Sequence, residues 1–248
     1  MHNTSRFLPA LLLAAASCGG GQATDDEYND VAQEIGSTTA TTSGGGGDVG
    51  SMADTATLAT GQMPSGLTLS ASGHVTGQHV GVDYDYQLTC SNSAGAPTVC
   101  DHTTDRAVVK LSWSGSLDLP NVSASVDRTG DWTLSGIQSG TPTFAGEGTF
   151  SFDVSVTSIF RPVTASYHLD YDATYSNVKL DATHRPVGGS VHYAISGEHT
   201  VTGTRGSRDG SFDIDAVVTF ASDGTATLTL DGSRHYQVNL ASGAVTRK

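Results

Sequence analysis

The sequence predicts an all-β protein: one antiparallel meander of roughly ten to thirteen strands over residues 66–248, curled into a sandwich, clam or barrel-like sheet. Three observations lead there. Apolar and polar residues alternate with period two, short turn signals recur at hairpin spacing, and no convincing helical periodicity follows residue 66.

Before the sheet, "DDEYNDVAQEIG" places Tyr28, Val31, Ala32 and Ile35 at i, i+3, i+4 and i+7. Acidic residues open the segment and Gly36 is read as its stop, so a short amphipathic helix is expected near 25–35. Such a helix is marginal alone and must dock its apolar stripe or fray. "STTATTSGGGGDVGS" beyond it reads as flexible tether, and "MADTATLATG" fits either a second short helix or a loop.

The strands follow in order. Val82, Tyr84, Tyr86 and Leu88 share one face while Asp83, Asp85 and Gln87 share the other. Val109, Leu111, Trp113, Leu117 and Leu119 oppose Lys110, Ser112, Ser114, Ser116 and Asp118. Phe150, Phe152, Val154 and Val156, then Tyr167, Leu169 and Tyr171, then Phe212, Ile214, Ala216, Val218 and Phe220 repeat the division. These are half-buried strands with one wet face. "DRTGD" (Asp127 to Asp131), "RDGS" (Arg208 to Ser211), "SDGT" (Ser222 to Thr225) and "LDGS" (Leu230 to Ser233) are read as the tight turns. A transmembrane barrel would show the same alternation, but the strands are rich in Gly, Ala and Ser, and the chain ends in "VTRK".

At the amino terminus, the apolar run from Phe7 to Ala16 is about half of what a hydrocarbon core of roughly 30 Å demands. With Arg6 before it and small residues after it, residues 1–17 read as a signal peptide. The junction "AASC" (Ala15, Ala16, Ser17, Cys18) resembles the lipobox of bacterial lipoproteins, with Ala15 where that family prefers leucine. The resemblance covers the first eighteen residues. It implies a diacylglyceryl group on Cys18, a lipid-anchored tether over 18–65 and residence in the bacterial cell envelope. Gly19 in place of aspartate implies, by analogy with bacterial sorting, the outer membrane. The membrane is then a partner through this lipid.

The chain holds three cysteines. With Cys18 acylated, Cys90 and Cys100 remain as one pair around the turn-rich "SNSAGAPTV", and an exported chain favours their disulfide. Losing Arg6 with the signal peptide leaves 11 Lys+Arg against 25 Asp+Glu, a net charge of −14. Such acidity opposes binding to nucleic acid, which needs a basic footprint.

Candidate chemistry is sparse. Asp83/Asp85, Asp170/Asp172 and Asp213/Asp215 each put two carboxylates on one strand face, which suits a solvated, aggregation-resistant surface better than a cation site or a glycosidase pair. His168, His192 and His235 each follow or precede a tyrosine, so tyrosine inward means imidazole outward, without local metal-ligand spacing. "GGGDVG" (Gly45 to Gly50) matches G-x-G-x-x-G but opens no βαβ unit. Trp113 and Trp132 read as core. No metal site or cofactor is expected.

The expectation is a lipid-anchored envelope protein with a non-catalytic binding or structural role. Its sharper form is an apolar-ligand carrier, with Tyr84, Tyr86, Phe150, Phe152, Tyr167, Tyr171 and Phe212 lining a curved sheet. The ligand is a small apolar molecule or an envelope component. The alternative is a carboxylate-dependent hydrolase acting on envelope polysaccharide.

Overall fold

The computed structural model describes residues 23–40, 47–70, 73–79, 82–158, 163–204 and 206–248. Cys18 and the segment preceding it lie outside the described residues.

Alternation of side chains across extended backbone produces the expected meander. The strands are β1 (Leu67–Leu69), β2 (Val75–His79), β3 (Val82–Asn92), β4 (Pro97–Thr98), β5 (Thr104–Leu119), β6 (Val122–Ser135), β7 (Thr143–Thr157), β8 (Val163–Leu180), β9 (Pro186–Gly203), β10 (Gly206–Phe220), β11 (Thr225–Leu230), β12 (Arg234–Asn239) and β13 (Val245–Arg247). They form one 13-stranded antiparallel sheet in sequence order, with β4 paired only to β3. The sheet is not closed, so β1 and β13 are its two edges and no barrel forms. After β1 the only helical turn among the described residues is a 3₁₀ turn at Ile137–Ser139.

Two of the expected turns are real and two are not. Asp223 and Asp231 turn the chain at "SDGT" and "LDGS", and Asp231 has a positive φ of 46°. "DRTGD" and "RDGS" instead run straight through β6 and β10. Their glycines are on the inner face and serve as slots for rings. A β-carbon at Gly130 would stand 2.7 Å from the Trp132 ring, and one at Gly210 would collide with the His199 ring. Glycine inside a strand marks this kind of close approach as readily as it marks a turn.

Two helices lie against the inner face. α1 (Asp25–Thr38) starts in a capping box: the Glu27 backbone N–H donates to Thr24 Oγ1 at 3.3 Å, and the Thr24 N–H donates to the Glu27 carboxylate. It buries the predicted stripe of Tyr28, Val31, Ala32 and Ile35 against β11, β12 and β13. Gly36 does not stop it; a β-carbon there would collide with Val245 and the Gly243 carbonyl, so glycine brings the helix close to β13. α2 (Asp48–Ala59) begins inside the segment expected to be tether and buries Asp48, Val49, Met52, Thr55, Ala56 and Ala59. Its sequence carries only a weak amphipathic pattern because it is covered on most sides by the curved sheet. The Thr57 hydroxyl lies 3.3 Å from His184 Nδ1 in the β8–β9 turn, which fixes the far end of α2.

Candidate apolar binding face

The inner face divides into a covered and an uncovered part. Under the helices sits an aromatic core. Trp113 lies 6.0 Å from Tyr84 and 6.1 Å from Phe150, Phe150 stacks on Tyr171 at 4.7 Å, and Tyr171 meets Tyr193 edge to face at 5.2 Å. Of the residues expected to line a ligand site, Tyr84, Tyr86, Phe150, Tyr171 and Phe212 belong to this core and are buried. Their surface is occupied by one another and by the helices. Phe152 and Tyr167 are only partly buried and stand at its border.

Beyond that border the long strands β5 to β10 outrun the helices. Leu117, Leu119, Val122, Val156, Ala165 and Val201 continue the inward-facing rows of their strands. Leu117 is 47% exposed and Leu119 50%, while Val122, Val156, Ala165 and Val201 are half-buried. A contiguous exposed apolar surface of this kind marks an interaction site. The sequence pattern identified Leu117, Leu119 and Val156 as inward-facing; it held no signal for Val122, Ala165 and Val201 or for where the helical cover ends.

A buried ion pair joins α2 to the sheet. Arg128 on β6 pairs with Asp48 on α2, both side chains 1% exposed. The Tyr193 hydroxyl donates to Asp48 Oδ2 at 2.6 Å and the Tyr175 hydroxyl at 2.9 Å, while Arg128 donates to Tyr175 Oη at 2.9 Å. The guanidinium lies 5.7 Å from the Trp113 ring centre and 5.6 Å from that of Trp132. Burial alone would lower the Arg128 pKa, but the Asp48 charge outweighs it and holds the cation firmly protonated. Asp54, one face away on α2, has its carboxyl pushed up to about 6 by burial, against a weak opposing bond from the Tyr86 hydroxyl at 3.4 Å.

The outer face carries the expected aspartate pairs in a regular order. Across the sheet, register aligns Asp83, Ser114, Asp127, Ser151, Asp170, Ser196 and Asp213 in one row. Serine between aspartates keeps like charges two strands apart, about 10 Å, rather than directly opposed. His168 is bracketed by Asp153 on Nδ1 and Asp170 on Nε2, each at 2.7 Å. His192 binds Asp215 at 2.8 Å, and His235 faces Thr229 at 3.2 Å. The three histidines therefore occupy separate sites, and among the described residues no group of three His, Cys, Asp or Glu side chains is arranged to hold a metal ion. Open troughs run along these rows, one past Ser125, Asp153, His168 and Glu198, another past Asp127, Ser151, Asp170 and Ser196.

Cys90 and Cys100 form a disulfide with Cα atoms 5.3 Å apart, closing the small β3–β4 hairpin. Among the described residues no helix is long and apolar enough to cross a membrane. No protein-family model matches the chain, and neither do curated proteins or solved structures.

Proposed function

We propose that this chain is a lipid-anchored protein of the bacterial cell envelope, at the outer membrane, with a non-catalytic binding role for an apolar ligand. The observation that carries the reading is the uncovered apolar face beyond α1 and α2, bordered by Phe152 and Tyr167 and reaching exposed Leu117 and Leu119. An apolar surface left half-wet in the isolated chain gains free energy from any apolar occupant, about 25 cal/mol for each Å² covered. The aspartates that a hydrolase would need stand instead in open outer rows, spaced by serine and engaged by histidine, where no enclosed acid and base face each other.

Native mass spectrometry tests the reading on residues 19–248, which retain every described element. The expected result is an extra apolar mass that survives gentle transfer, is lost on denaturation, and is reduced in the Leu117→Ser, Leu119→Ser double variant. A bare mass that remains bare after incubation with a long-chain fatty acid would sink the apolar-ligand reading.

A further inference from the structure

We propose that the ligand of the uncovered face is a cationic amphiphile, its hydrocarbon tail laid along the inner ends of β5 to β8 and its ammonium head held beside Tyr167 by the acidic flank of α1. This rests on the apolar-ligand reading above and names the headgroup that the face selects.

The border of the face carries the charge. Glu27, Asp30 and Glu34 stand at i, i+3 and i+7 on α1, each one residue before Tyr28, Val31 and Ile35 of its buried stripe. They form a row along the flank that meets Tyr167 on β8 and His199 on β9, which are direct neighbours across the sheet. Glu27 Oε1 lies 3.9 Å from His199 Nδ1, and the Tyr167 hydroxyl is pushed up by burial and then by the charges of Glu34, Asp30 and Glu27. Among the described residues the arginine ion pairs lie elsewhere, at Asp48, Asp181 and Asp25, and His199 is the one basic partner of this row. Carboxylates short of counter-charge beside an aromatic ring favour a bound cation twice, through their charge and through the π face.

The tail has a path away from that border. Register runs from Tyr167 through Val154 and Ala124 to Leu117, three strand spacings or about 14 Å. Beside it runs the row Ala165, Val156, Val122 and Leu119. An alkyl chain between the two rows meets aliphatic side chains once past Tyr167, and it ends at exposed Leu117 and Leu119. Arg208 stands on the other side, on β10 and opposite Val201, two strands from Ala165 and away from β5. An anionic head at Tyr167 would face three carboxylates instead. A second copy of this chain would bring the same acidic border and a net charge of −13.

Calorimetric titration of residues 19–248, which retain every described element, compares two amphiphiles with one tail, dodecyltrimethylammonium and dodecanoate, each below its micelle concentration at neutral pH. The expected outcome is one-to-one binding of the ammonium, about tenfold tighter than the carboxylate. Glu27→Gln with Asp30→Asn and Glu34→Gln should abolish that preference by weakening the ammonium about tenfold. Glutamine keeps the capping contact with Thr24, and retained dodecanoate binding shows that the variant is folded. Asp127→Asn with Asp172→Asn and Asp213→Asn removes the same charge from exposed outer-face positions and should leave both affinities unchanged. Equal affinity for the two heads, a preference for dodecanoate, or an outer-face variant weakened as much as the α1 variant would overturn the selection by charge. In those cases the apolar-ligand reading still stands if Leu117→Ser with Leu119→Ser weakens both amphiphiles. Binding of neither amphiphile ends the apolar-ligand reading and this proposal with it.

Discussion

Asp48, the first residue of α2, and Arg128, midway along β6, form an ion pair sealed inside the molecule and shared with the hydroxyls of Tyr175 and Tyr193. The pair ties the helix to the centre of the sheet. Burying two charges gives little net stability, but removing one leaves the other uncompensated at a cost of about 3–5 kcal/mol. Asp48→Ala is therefore expected to lower the denaturant midpoint strongly, and Asp48→Ala with Arg128→Met to recover much of the loss. A double variant no better than the single, in urea titrations, would refute the latch.

Asp54 gives α2 a pH dependence of opposite origin. Its carboxyl is raised from an ordinary 3.8 to about 6 by burial, so the folded state favours the proton. The stability this contributes is complete below pH 4 and is lost as pH rises through about 6. Since the side chain is only half-buried, solvent limits the effect to about 1–2 kcal/mol. Asp54→Asn should match the parent at pH 4 and melt higher at pH 7.5; equal melting temperatures at both pH values would show that the group is not desolvated.

Much of this fold is legible in the sequence because a half-buried strand writes its burial directly as period two. Tyr84 and Tyr86 inward, Asp83 and Asp85 outward, is both a pattern and a structure. The same logic places the stripe of α1. It fails for α2, where Asp48 lies among glycines in "GGGDVG" and its partner Arg128 sits inside "DRTGD", two stretches that locally resemble tether and turn. A helix covered on most sides has no wet face to betray it, and a glycine that accommodates a ring looks like one that bends a chain. The aromatic residues expected around a ligand were correctly turned inward, but whether an inward side chain meets a helix or open space depends on docking between distant segments. Period two holds no record of that.

The disulfide is expected to stabilise by constraining the unfolded chain. Cys90 and Cys100 are ten positions apart, and a loop of that size is worth about 2–3 kcal/mol in the entropic account. Cys90→Ala with Cys100→Ala should lower the melting temperature by several degrees while leaving the far-ultraviolet spectrum unchanged. An unchanged melting curve, with the parent bond confirmed by thiol titration, would count against a stabilising bridge.

His168 should titrate above the ordinary histidine value. Partial burial pulls its pKa down, but the hydrogen bonds and charges of Asp153 and Asp170, one on each ring nitrogen, outweigh that and raise it. With both nitrogens facing carboxylates, the bracket is complete only for the imidazolium. Its folded pKa being raised, the stability it adds is present in full below the ordinary histidine value near 6.5 and is lost as pH rises through the folded one. Asp153→Asn removes one charge and leaves a hydrogen-bonding group, so the His168 titration, followed by nitrogen NMR of the ring, should move down toward the ordinary value. The parent and variant melting curves should then converge above the parent's folded pKa. A midpoint unmoved by Asp153→Asn would mean that the Asp153 contact does not hold the proton, and would assign that role to Asp170, two residues along the same strand.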